Sequence, residues 1–225
     1  MVESRVRVAV VLSGCGHLDG SEIQEAVATL YHLASRGATY ECFAPDRDLD
    51  EIDHLTGQPT GQRRRILRES ARIARGQVRS LGELDAAQFD ALVFPGGLGA
   101  AKNLSDFGSK GAAATALPEV VKVVKSFVEA RKPIGAICIA PAMLAAALKE
   151  TKVHPLVTVG AASGASAALV ALGARHQVCA VEGFVVDRDN RIVSTPAYMY
   201  DAPITGVFEG IGKLVQTLVS LARER

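Results

Sequence analysis

Short apolar runs alternate along this chain with stretches of helical period, and that alternation sets the fold. Residues 6–12 are apolar and valine-rich apart from Arg7, and stop at Ser13-Gly14-Cys15-Gly16, which predicts a first, buried strand. Asp19-Gly20-Ser21 opens a helix over 22–35, with Ser21 as the predicted N-cap and Ile23, Ala26, Val27, Leu30 and Leu33 at helical spacing. Gly37 ends that helix, and residues 38–44 predict a second strand closed by Pro45-Asp46. Strand, helix, strand in that order implies a right-handed crossover between parallel strands.

Residues 48–61 are polar and turn-rich and predict a loop, and 63–75 predict a helix. Residues 91–94 predict a short buried strand ended by Pro95-Gly96-Gly97-Leu98-Gly99. An amphipathic helix over 117–130 carries Val120, Val121, Val124 and Phe127 on one face. A strand from Pro133 runs into Cys138, and Pro141 falls in the first turn of the next helix, where its missing N–H costs nothing. Residues 157–160, 178–181, 184–187 and 191–195 predict strands, and 165–172 a helix ended by Gly173. The last two strands are joined at a hairpin turn, Asp187-Arg188-Asp189-Asn190, and 204–222 predict a closing amphipathic helix. With no linker or repeat, residues 1–225 form one α/β domain: a doubly wound, mostly parallel sheet with helices on both faces, flavodoxin-like in plan.

Bulk numbers narrow the function classes. A chain of 225 residues, 48% of them hydrophobic, suffices for one good core. The formal charge is +1 and no basic stripe interleaves with aromatics, so nucleic-acid binding is set aside. Arg63-Arg64-Arg65, followed by Arg68, Arg72, Arg75 and Arg79, is read as a solvated helix face. Four cysteines, at 15, 42, 138 and 179, form no CxxC pair and no zinc pattern, which fits a reducing compartment. The first seven residues are charged and lack a secretory apolar region, and no segment is long and apolar enough to span a bilayer. The expectation is a cytoplasmic protein without a membrane or nucleic-acid partner.

Cys138 is the most informative residue. An apolar run with glycine three residues before a cysteine, then small residues and a proline, reads as strand, tight turn and helix: a nucleophile elbow. The positive end of the following helix is expected to favour the thiolate. In an open α/β sheet ligands collect beyond the carboxyl ends of the strands, where the Cys15, Gly96-Gly97 and Cys138 loops lie. The N–H groups of Gly97 and Ile139 can form an oxyanion hole, with Gly96 giving close backbone access. Cys15 follows a strand that can neighbour that of Cys138 and joins the substrate-binding candidates. The glycines around Cys15 do not complete a dinucleotide fingerprint, so no nicotinamide is implied. The five histidines, at 17, 32, 54, 154 and 176, stand at no telling spacing from Cys138. Glu22 and Glu25, three residues apart on the first helix, share one face and are the better proton partners.

The segments Val11-Leu12-Ser13-Gly14-Cys15-Gly16, Asp19-Gly20-Ser21-Glu22-Ile23, Cys42-Phe43-Ala44-Pro45-Asp46, His54-Leu55-Thr56-Gly57, Phe94-Pro95-Gly96-Gly97, Ala100-Ala101-Lys102-Asn103-Leu104-Ser105, Cys138-Ile139-Ala140-Pro141-Ala142-Met143-Leu144 and Thr195-Pro196-Ala197-Tyr198-Met199 resemble the ElbB family. Its name refers to enhanced lycopene biosynthesis, and it belongs to the PfpI-like superfamily with the class I glutamine amidotransferase-like fold. The resemblance runs nearly end to end. It implies a pairing of Cys138 with a glutamate of the first helix, most simply Glu25, and a weak cofactor-independent glyoxalase that turns glyoxal into glycolate, with no metal. It also implies a homodimer. Ile139 follows Cys138 where many relatives carry a histidine, which weakens a protease or amidotransferase reading. The alternative to a dicarbonyl enzyme is a redox or metabolite sensor built on an easily oxidised Cys138.

Overall fold

Val8, Ala9, Val10 and Val11 are fully buried, as a strand covered on both faces requires. The computed structural model describes residues 5–224; residues 1–4, on which part of the N-terminal reading rests, and residue 225 lie outside the described residues. In chain order the elements are β1 (Arg7–Val11), α1 (Ile23–Ser35), β2 (Thr39–Ala44), β3 (Asp48–Ile52), β4 (Pro59–Arg65), α2 (Ile66–Ile73), β5 (Val78–Ser80), β6 (Ala91–Phe94), α3 (Leu98–Lys102), α4 (Phe107–Lys110), α5 (Pro118–Glu129), β7 (Ile134–Ile137), α6 (Ala140–Leu148), β8 (Leu156–Val157), α7 (Gly164–Ala171), β9 (Arg175–His176), β10 (Val185–Asp187), β11 (Ile192–Thr195) and α8 (Ile204–Arg223).

The main sheet has the order β10-β11-β7-β6-β1-β2-β5, parallel throughout except for the β10–β11 hairpin. The chain moves outward from β1 to β2 and β5, returns to β6, and then moves the other way to β7. Right-handed crossovers in opposite directions put α1 on one face and α5 on the other. Helix α8 packs on α1, and α5 on α6. Edge-to-face rings of Phe43 and Phe89, 5.5 Å apart, fill one end of the core. Burying each contributes roughly 1.5–3 kcal/mol. The winding direction reverses between β1 and β6, so the loops beyond their carboxyl ends diverge and leave room for a site.

Four local expectations are corrected. Glu22, not Ser21, caps α1: the Glu22 side chain accepts the Glu25 N–H, while the Ser21 hydroxyl turns inward to accept the Ser13 N–H at 2.9 Å. Residues 48–65 are not loop and helix but the antiparallel hairpin β3–β4, and helix α2 begins only at Ile66. Arg63, Arg64 and Arg65 therefore lie on a strand, paired with Asp46, Asp48, Asp50, Glu51 and Glu69. The predicted strand 157–160 shrinks to β8, which pairs with β9 outside the main sheet, because the Thr158 N–H goes to the Ser194 hydroxyl instead of a ladder. Residues 178–181 form no strand; Val178 is 63% exposed and no neighbouring strand supplies a ladder. Among the described residues no helix is long and apolar enough to cross a membrane.

Candidate functional site

Three loops and one helix meet at the sulfur of Cys138. β7 ends at Ile137, and Cys138 takes φ 61°, a left-handed conformation that costs an L-residue roughly 1–2 kcal/mol. Its N–H donates to the Thr195 carbonyl at the end of β11 (2.9 Å), which holds the turn. Ile139 then caps α6, with Pro141 in the first turn. Strand, strained turn and helix are the elbow expected from the sequence. Cys138 is 7% exposed, and the backbone N–H groups of Gly97 and Ile139 and the carboxyl of Glu25 lie close enough to its sulfur to act on its charge. The two N–H groups singled out in the sequence thus both act on the Cys138 sulfur.

Glu25 is wholly buried. Its Oε2 accepts the Gly96 N–H at 3.0 Å and its Oε1 accepts the Tyr198 N–H at 3.1 Å. Glu22 faces elsewhere: its Oε2 accepts the Glu25 N–H at 2.7 Å, and its own N–H donates to the Gly96 carbonyl at 2.9 Å. Periodicity put both glutamates on one face, and capping separates them. Gly96 admits no side chain: a Cβ there would lie 2.3 Å from the Cys138 Cβ and 2.5 Å from Glu25 Oε2. Gly97, at φ 92°, sits against the Glu22 amide, where a Cβ would come within 2.3 Å of its nitrogen.

The electrostatics overturn the expectation of a resting thiolate. Burial pushes the Cys138 thiol well above its ordinary value, the Glu25 charge adds to this, and the N–H groups of Gly97 and Ile139 oppose both without winning. Burial likewise raises Glu25 to about 8, reinforced by the Glu22 charge and opposed by the Tyr198 N–H, the thiol and the Gly96 N–H. Burial also raises Glu22, against the N–H bonds it accepts as a cap. The two members of the pair hold their protons through neutral pH.

A stability consequence follows for Glu25. With a folded value of about 8 against an ordinary 4.5, its carboxyl is protonated in both states below the lower value, and stability falls as pH rises from there through the upper one. The loss is on the order of several kcal/mol. Urea midpoints of Glu25→Gln are expected to change less than those of the natural protein between mildly acidic and mildly alkaline pH. Parallel pH dependences of the two would contradict this.

The other candidates lie elsewhere. Strand β6 separates β1 from β7, and Cys15 lines a different cleft of about 490 Å³ with Asp19, Glu51, His54 and Arg64. Its thiol is raised by burial and by Glu69, with Arg72 opposing, and it is a free cysteine away from the pair. His32 bonds to the Phe208 carbonyl and His154 to that of Gly173; His176 accepts the Val159 N–H, and His17 meets His54 edge to face. Sequence reasoning missed Tyr198 as a site residue. The signal was Pro196-Ala197 directly after a strand, a break that turns the chain inward beyond the end of β11.

The chain and its fold are similar to known proteins. The DJ-1/PfpI family profile matches residues 78–153. The human glutamine amidotransferase-like class 1 domain-containing protein 3, mitochondrial, is 46% identical over 96% of this chain and 83% of its own length. A mitochondrial ES1 protein homolog from Rattus norvegicus is 45% identical over 96% of this chain and 84% of its own. The crystal structure of an isoprenoid biosynthesis protein with amidotransferase-like domain from Ehrlichia chaffeensis superposes with a TM-score of 0.90 at 39% identity, covering 96% of this chain and 99% of that one. Drosophila melanogaster DJ-1beta shares the fold, with a TM-score of 0.61 at 16% identity over 98% of this chain and 95% of its own. The cytoplasmic expectation is corrected by the curated relatives, which are named as mitochondrial proteins. Free cysteines report redox poise, which does not by itself specify a compartment.

Proposed function

The chain belongs to the glutamine amidotransferase-like class 1 proteins of the DJ-1/PfpI family, and we propose that it is an ElbB-like, cofactor-independent glyoxalase acting on small dicarbonyls. One observation carries this reading: a buried carboxyl and two backbone N–H donors meet at a single sulfur. An aldehyde carbon placed there is flanked by a nucleophile, a proton acceptor and oxyanion donors.

With glyoxal, Cys138 sulfur bonds to one carbonyl carbon while the thiol proton passes to the Glu25 carboxylate. The carbonyl oxygen takes the resulting charge between the N–H groups of Gly97 and Ile139, then recovers the proton, giving a hemithioacetal. Glu25 next removes the C–H proton from the sulfur-bearing carbon, and an enediolate forms with its charge on the oxygen of the second carbon. Glu25 returns that proton to the second carbon while the hydroxyl proton of the sulfur-bearing carbon passes to the second oxygen, which leaves a thioester of glycolic acid. Water cleaves the thioester and frees the thiol. One carbon is oxidised and the other reduced within the same molecule, so no external redox partner is needed.

The test is glycolate formation from glyoxal by the purified protein. Because Glu25 must be ionised to accept the first proton, initial rates are expected to rise with pH and level above about 8. Turnover no faster than buffer, or rates that fall across that range, would overturn the reading.

A further inference from the structure

The segment after β11 touches both members of the reactive pair. The Thr195 carbonyl accepts the Cys138 N–H, and three residues later the Tyr198 N–H donates to Glu25 Oε1 at 3.1 Å. Between them the backbone is forced. Pro196 breaks the strand, and buried Ala197 takes φ 44°, a left-handed turn at a residue with a Cβ. That turn swings the next N–H inward. The Met199 N–H closes it on the Pro196 carbonyl at 3.0 Å. On the outer side the Tyr198 hydroxyl donates to the side-chain carbonyl of Gln24, an exposed residue of α1 beside Glu25.

We infer that Tyr198 is the positioning residue of this site: its backbone N–H fixes the Glu25 carboxyl toward the Cys138 sulfur, and its phenol, tied to Gln24, holds the strained turn that aims that N–H. A carboxyl accepting one N–H on each oxygen, from Gly96 and from Tyr198, cannot rotate without breaking a buried bond. The Gly96 donor is set by the Pro95-Gly96-Gly97 loop. The Tyr198 donor rests on a turn with a left-handed alanine, and the phenol bond to α1 opposes its relaxation. The titratable groups facing Glu25 are Glu22 on its own helix, Cys138 on the elbow and the Tyr198 phenol itself; the Gly96 loop offers only its N–H. His17 acts on Glu22.

The experiment reads the ionisation of Glu25 directly, by carbon-detected NMR of side-chain-labelled glutamate in the full chain, with Glu25→Gln assigning the signal. Tyr198→Phe and Gln24→Ala each cut the tether. Each is expected to raise the Glu25 midpoint by about half a pH unit, because a donor that stabilises the carboxylate is loosened. The double variant is expected to add nothing further, since both changes break one bond. Gln24 is exposed, so its variant keeps the test open if Tyr198→Phe fails to fold. An unchanged or lowered midpoint in Gln24→Ala, or additive shifts, would overturn the inference. The activity part rests on the glyoxalase reading: kcat is expected to fall in both variants with KM little changed. Midpoints that shift in a protein without turnover would sink the activity reading and leave the positioning role standing.

Discussion

Cys138→Ala is expected to abolish glycolate formation while leaving the fold intact. The sulfur is the only atom proposed to bond to substrate, so its loss removes the covalent route, a fall of about 1,000-fold or more. The structural cost is small, since one sulfur is exchanged for a small void, roughly 1 kcal/mol. A companion variant isolates the turn. Cys138 sits at φ 61°, which glycine adopts without the Cβ penalty. Cys138→Gly is therefore expected to be equally inactive but at least as stable to urea as Cys138→Ala, the reverse of the usual order for these two residues. Turnover retained by Cys138→Ala would exclude the nucleophile. A glycine variant clearly less stable than the alanine one would exclude strain at the elbow.

That strain belongs to the part of the site legible in the sequence. An apolar strand running into cysteine, small residues and an early proline leaves the chain few ways to turn, and Pro95-Gly96-Gly97 marks a loop where backbone must approach closely. The elbow turn, the two backbone N–H groups beside it and the sheet were readable for that reason. Glu22 and Glu25 were not separable by period, because residues three apart share a face; what separates them is that Glu22 spends its carboxyl on the helix end. The thiol's charge state was misread in magnitude. The helix N-terminus acts with the expected sign through the Ile139 N–H, but burial and the Glu25 charge outweigh it. The hairpin β3–β4 escaped notice since every residue of β4 is exposed. No apolar alternation marks such a strand, and arginine–carboxylate pairs line it instead. Tyr198 left only an indirect trace, the Pro196-Ala197 break before it, because its contribution to Glu25 is a backbone N–H, which any residue except proline carries.

The same dependence on backbone makes Gly96 the most sensitive position in the site. Gly96→Ala is expected to eliminate turnover and to destabilise the protein. A methyl group there would stand 2.3 Å from the Cys138 Cβ, 2.5 Å from Glu25 Oε2 and 2.9 Å from the Ile137 carbonyl oxygen. Two of these three neighbours cannot rotate away, because they are a Cβ and a backbone carbonyl at the end of a buried strand. The loop must move, and it carries both the N–H that holds Glu25 and the Gly97 N–H that reaches the sulfur. Overpacking of this kind costs about 1–3 kcal/mol, and a displacement of about 1 Å at a reacting centre costs about 100-fold in rate. With both carboxyl and sulfur displaced, the activity loss is expected to exceed that figure. Urea denaturation and the glycolate assay together check it. An alanine variant with unaltered stability and rate would show that Gly96 does not press on the pair, and the close convergence on Cys138 would have to be abandoned.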